Sequence, residues 1–173
     1  MFESAELGHK IDKDTYKAEE PKLRAALLEA QDQLRENGSF PVIVLISGVD
    51  GSGKGETINT LYEWMDPRYL STRTFSAPTQ EERERPSMWR FWRALPKKGR
   101  IGIAAGSWYS WPIAERIAGD LSRADFDQRM DELNRFEEML VNEGALVLKF
   151  WIHLSKTAQR ERLQAIEANP LTR

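Results

Sequence analysis

The chain has no cysteine and only two histidines. The first absence removes disulfides, thiol catalysis and zinc–thiolate sites together. His153 has no second histidine or cysteine near it in the sequence, so it reads as a structural residue rather than a metal ligand. No apolar stretch approaches the length that crosses a bilayer. The opening residues, MFESAELGHKIDKD, are charged throughout and lack the apolar centre of a signal peptide. Net charge is only −2, so nothing global points to nucleic acid. Repeats, low-complexity segments and a dividing linker are missing too. Together these absences predict a cytoplasmic protein with neither membrane nor nucleic acid among its partners.

What is present suits one domain with a sizeable core: 173 residues, 40% hydrophobic and 30% charged. Apolar runs of strand type alternate with amphipathic helices, which predicts an α/β fold with a parallel sheet and helices on both faces. Residues 1 to about 14 read as a polar surface stretch. Leu23, Leu27, Ala30 and Leu34 then form a helical stripe, with Pro21 in the expected first turn and Asn37-Gly38 as the stop. Val42–Ile46, Tyr69–Phe75, Ile101–Ala105 and Ala145–Leu154 read as strands. Phe126, Met130, Leu133, Phe136 and Leu140 trace a long helix before Glu143-Gly144, and Ser155 caps a last one. The domain proper is expected over 21–173, after an extension of residues 1–20.

The chain is organised around PVIVLISGVDGSGKGETI, residues 41–58. Five apolar residues without polar alternation mark a strand buried on both faces. Gly48, Gly53 and Lys54 match the phosphate-loop pattern G-x-x-x-x-G-K, and a helix follows. In that pattern backbone N–H groups and a helix N-terminus face an anion while the lysine adds a mobile positive charge. The amides of Gly51, Ser52, Gly53, Lys54 and Gly55 are therefore the predicted phosphate ligands. Asp50 is unusual, since a carboxylate in a phosphate loop repels the ligand unless a metal or a hydroxyl lies between them. An Asx turn is the alternative reading of Asp50.

Residues 79–100 form a locally basic segment in an acidic chain. Arg83, Arg85, Arg90, Arg93, Lys97, Lys98 and Arg100 face only Glu81, Glu82 and Glu84, with Trp89, Phe91 and Trp92 interleaved. The aromatics read as core, and the cations as a polyanion surface, because arginine grips phosphate two oxygens at a time. At the end of the third strand a phosphate-loop enzyme needs a magnesium-holding aspartate. Ala104-Ala105-Gly106 stands there instead, and Glu115, followed by Arg116, is the nearest acid.

With these residues in view the sequence resembles the family-2 polyphosphate kinases. Gly48, Asp50, Gly53, Lys54 and Gly55 meet that family's G-x-D-x-x-G-K-G. Pro78, Glu82, Trp89, Phe91, Arg93, Leu95-Pro96 and Gly99 resemble its lid segment, and Ser107-Trp108-Tyr109 the end of its F-D-R-S-W-Y. Lys149-Phe150-Trp151, Leu154-Ser155-Lys156, Gln159 and Arg162 are similar to its fourth-strand region. Among members, the chain is most similar to the N-terminal half of the tandem polyphosphate:AMP phosphotransferases. The resemblance implies a phosphate-loop (Walker A) kinase fold with a lid over 79–100. It also implies phosphoryl transfer between inorganic polyphosphate and AMP or ADP with Mg2+, in a homo-oligomer carrying a second domain. The implied catalytic residues are Asp50, Lys54, Arg93 and Glu115. Arg93, Lys97 and Arg116 join the loop in holding phosphate, and Asp50 and Glu115 hold the metal. Ala105-Gly106 departs from the family's Asp-Arg pair, which raises the alternative of a half that binds without turning over. The chain is also expected to continue beyond Arg173 in a longer protein.

Overall fold

The structure, a computed structural model, describes residues 6, 8 and 10–169. Most of the polar opening stretch, and the chain's end from residue 170 onward, lie outside these. The first helix, α1 (Lys13–Asn37), begins well before Pro21, which lies inside it. Proline at an N1 position is the commoner use, but here Asp12 starts the helix: its carboxylate accepts from Asp14 N and Thr15 N. Gly38 ends α1 in a left-handed conformation, its N–H bonded to the Leu34 carbonyl, as the Asn-Gly stop predicts.

β1 (Val42–Gly48), β2 (Leu70–Thr74), β3 (Ile101–Ala105) and β4 (Leu146–Ile152) form one sheet in the order β2-β3-β1-β4, with every pair parallel. β1 occupies the centre, and Val42–Ile46 is buried throughout. Its side chains alternate between two cores. Val42, Val44 and Ile46 join Leu34 of α1, Met65, Leu70, Ile101 and Ile103. Ile43 and Leu45 join Phe91, Trp108, Leu133, Phe136 and Leu140. α1 and α2 (Lys54–Trp64) therefore cover one face, and α4 (Trp89–Trp92) and α6 (Arg123–Asn142) the other. Leu45, Ile46, Leu133 and Phe136 are buried to within 2%, each contributing about 1.5–3 kcal/mol. The remaining helices are α3 (Gln80–Arg83), α5 (Ser110–Ala118) and α7 (Lys156–Ala168).

β4 differs from its apolar sequence. Among the described residues it is an edge strand, and Leu146, Leu148 and Phe150 are 44%, 37% and 53% exposed. They share a face with Val42, Val44 and Ile46 across the register. The core packed over β1 does not include them. Of the interleaved aromatics, Phe91 is core and Trp92 is 45% exposed. Among the described residues no helix is long and apolar enough to cross a membrane.

Candidate active site

Strand order reverses between β1 and β3, and the crevice at their C-terminal ends is where α/β sheets take ligands. The glycine loop opens there. Gly48 has φ +151°, and a Cβ on it would lie 2.1 Å from the Ile152 carbonyl oxygen. Only glycine lets the end of β4 pass that close. Val49 N donates to the same carbonyl, at 3.2 Å. Gly53 caps α2 without a side-chain bond, which leaves the first N–H groups of α2 for an anion, while the N–H of Glu56 is met by its own carboxylate.

Lys54 Nζ donates to the Gly48 and Val49 carbonyls at 3.0 and 2.8 Å, and Asp50 Oδ1 is 3.7 Å from it. The lysine is thus curled into its own loop, while the Asp50 side chain is 94% exposed. Ser52 is buried, and its hydroxyl has no hydrogen-bond partner among the described residues. Gly51 lies under the Leu163 side chain, and Gly55 opens to space.

Residues of α7 that the sequence reading left without a role complete the loop's wall. Gln159 Nε2 donates to the Asp50 carbonyl at 2.9 Å, and Arg162 Nη2 to Glu56 Oε1 at 2.7 Å. The Glu56 carboxyl is held below the usual carboxylate range by its own helix N–H and then by Arg162. The spacing of Gln159, Arg162 and Leu163 puts all three on one helical face, a signal that was present but named no target.

On the other side of the crevice, Gly106 N donates to the Ile46 carbonyl at 2.9 Å, and Ser47 Oγ to Ser107 Oγ at 2.7 Å. Ala105 and Gly106 therefore sit beside the glycine loop, and Gly106 has φ +71°. Next to them, Glu137 accepts from Trp108 Nε1 (3.0 Å) and Lys149 Nζ (2.7 Å). That carboxylate raises the Lys149 pKa, and burial ahead of Glu137 raises that of Tyr109.

The basic segment divides. Arg83, Arg85 and Arg90 line a cavity of about 510 Å³ with Trp111, Glu115 and Arg129. It lies past the C-terminal ends of β2 and β3, at the same end of the sheet as the loop. Arg93 is exposed, its guanidinium 4.6 Å from the Trp89 ring centre. Lys97 is placed elsewhere. It precedes β3, beside Gly99, whose N–H bonds to the Phe40 carbonyl, so it stands at the opposite end of the sheet from Lys54. Arg116 is exposed and donates to the Leu121 carbonyl at 3.3 Å. Among the described residues no three His, Asp or Glu side chains gather as a metal cluster. Asp50 and Glu115 belong to separate parts of the site, the loop and the cavity.

A parallel sheet of this order, with a glycine–lysine loop and a helix N-terminus at its switch point, defines a phosphate-loop kinase fold. The chain belongs to the polyphosphate kinase 2 family, whose pattern matches residues 10–173. It is 55% identical over 170 residues to a polyphosphate:AMP phosphotransferase of Pseudomonas aeruginosa, covering 98% of this chain and 34% of that one. It is 32% identical over 148 residues to an AMP/ADP-polyphosphate phosphotransferase of Meiothermus ruber, covering 86% and 55%. A solved Pseudomonas aeruginosa chain superposes with a TM-score of 0.90 at 56% identity, over 94% of this chain and 35% of its own length. A polyphosphate kinase 2 crystal structure from Arthrobacter aurescens superposes with a TM-score of 0.89 at 28% identity, over 96% and 60%. The chain thus spans about a third of the length of the Pseudomonas relatives.

Proposed function

We propose that this chain is a phosphotransferase module that moves a terminal phosphoryl group from inorganic polyphosphate to AMP, giving ADP and a polyphosphate shorter by one unit. The observation that supports it most is the glycine loop at the β1/β3 switch point, facing the same end of the sheet as a cavity of arginines and tryptophans. The loop amides and Lys54 suit a phosphate chain. Arg83, Arg85, Arg129 and Trp111 suit a nucleotide, whose phosphate takes guanidinium and whose base takes an aromatic face. Arg93 and Lys97 would hold the outlying part of a long polyphosphate. The longer Pseudomonas relatives accord with a second domain in the whole protein.

Magnesium fits the donor set in one respect. It binds through one or two carboxylates plus phosphates while keeping several waters, and the exposed Asp50 carboxylate beside Lys54 supplies one. Asp50 would hold the ion, while Glu115 lines the separate cavity and does not join it there. When bound, the ion neutralises charge on the transferring group.

A second reading is favoured by Ala105 and Gly106. With neither an acid nor an arginine at these two positions at the end of β3, binding survives while part of the charge developing in the transition state goes unmatched. That shortfall is on the order of a thousandfold in rate. The expected behaviour of these 173 residues is saturable tripolyphosphate binding that Lys54→Ala abolishes, with turnover far below the ordinary kinase range of about 1–100 per second. Calorimetry and a coupled assay with polyphosphate, AMP and magnesium measure both. Affinity unchanged in Lys54→Ala would overturn the loop assignment, and turnover near one per second would overturn the binding-only reading.

A further inference from the structure

We infer that Arg162 is a phosphate-binding residue of this site, kept beside the loop by Glu56 until an anion displaces that carboxylate; the inference rests on the function proposed above. The geometry begins at Gly53. A Cβ placed there would lie 3.6 Å from Arg162 Nη2 and 3.9 Å from Glu56 Oε2, so both charged ends converge on the residue that caps α2. Glu56 stands in the first turn of α2, where its carboxylate takes its own backbone N–H as well as Arg162. It thereby occupies part of the anion position that the helix N-terminus creates.

Charge makes the pairing informative. Asp50 and Glu56 bring two carboxylates to a loop whose own cation is Lys54 alone. An incoming polyphosphate meets that excess unless a further cation faces it, and Arg162 is a cation that the fold brings to Gly53. Its position is fixed rather than incidental. Gln159 ties α7 to the Asp50 carbonyl, and the Leu163 side chain is 3.1 Å from where a Gly51 Cβ would be. The pair itself is easily exchanged: Arg162 and Glu56 side chains are 42% and 67% exposed, and exposed ion pairs contribute little to stability. A phosphate offers the guanidinium two oxygens and a stronger charge-assisted bond. Partner exchange, from Glu56 to phosphate, therefore favours the bound state.

The alternative is a structural clasp that merely ties α7 to α2, and the two differ in the sign of one result. Tripolyphosphate binding to the chain is measured by calorimetry for wild type, Arg162→Gln, Glu56→Gln and Lys54→Ala, with circular dichroism and melting curves for each. A phosphate-binding Arg162 makes Arg162→Gln bind about tenfold more weakly or worse. Glu56→Gln then binds more tightly, because the competing carboxylate is gone. A clasp makes Glu56→Gln bind no better than wild type, since the loop loses its tether, and that result overturns the inference even if Arg162→Gln fails to fold. Arg162→Gln within twofold of wild type also overturns it. Lys54→Ala keeps the two levels apart. Binding that survives it defeats the functional reading itself, whereas binding lost in Lys54→Ala but untouched by changes at Arg162 and Glu56 defeats only this inference.

Discussion

Glu56 shows how one residue links stability to the site. Its helix N–H and Arg162 both favour the carboxylate over the acid, so the folded pKa lies below that of the unfolded chain. The resulting stabilisation is complete above the unfolded value of about 4.3 and is lost as pH falls through the folded one. Glu56→Gln is expected to flatten the acid limb of a melting-temperature profile below about pH 4.3, the unfolded value. An acid limb as steep as wild type would show that the carboxylate is not held in this way. Gly106 sits across the crevice and sets a different limit. With φ at +71°, an arginine there adopts a conformation that costs about 1–2 kcal/mol for L-residues. Restoring that charge to this backbone therefore requires the turn to change as well as the residue.

At the scale of elements, the β1-to-loop junction admits the sharpest test. Gly48→Ala drives a methyl to 2.1 Å from the Ile152 carbonyl, a backbone atom that moves only if β4 does. The expected loss is about 3 kcal/mol or more, read from urea unfolding, and a loss under 1 kcal/mol would show that the strand ends can part. The strands, the loop and the ends of the helices were legible in the sequence because each is written locally: Val42–Ile46 in unbroken apolar residues, the cradle in glycines, the stop of α1 in Asn37-Gly38. The start of α1 was not, since Pro21 is a start signal that the earlier cap at Asp12 overrides. Lys97 was misplaced for a topological reason. Sequence proximity grouped it with Arg83 and Arg93, but the chain returns from the C-terminal end of β2 to the N-terminal end of β3 within that segment. Arg162 stands out in the sequence only as part of a family pattern, without a role, because its meaning depends on α7 packing against an element more than a hundred residues earlier.

Taken whole, the molecule separates its cations by distance along the sheet, and a polyanion of graded length can read that separation. Tripolyphosphate is short enough to be held at the loop alone, so Arg93→Ala and Lys97→Ala together are expected to leave its affinity and salt slope unchanged. A polyphosphate of some tens of units releases counterions wherever it touches cations, and the same double variant is expected to flatten its salt slope. Equal slopes for wild type and variant at both lengths would make Arg93 and Lys97 bystanders.

The outer side of β4 has a consequence for handling rather than for catalysis. No other strand of the sheet lies beside it among the described residues, and Leu146, Leu148 and Phe150 stand open along one flank. Bare ladder groups next to oily side chains act as a template for further chains. During refolding, then, the 173-residue chain runs a race between a first-order closure onto its own cores and a second-order meeting of edges. Dilution favours the former, and the yield of soluble material is set by the concentration at which the race is run.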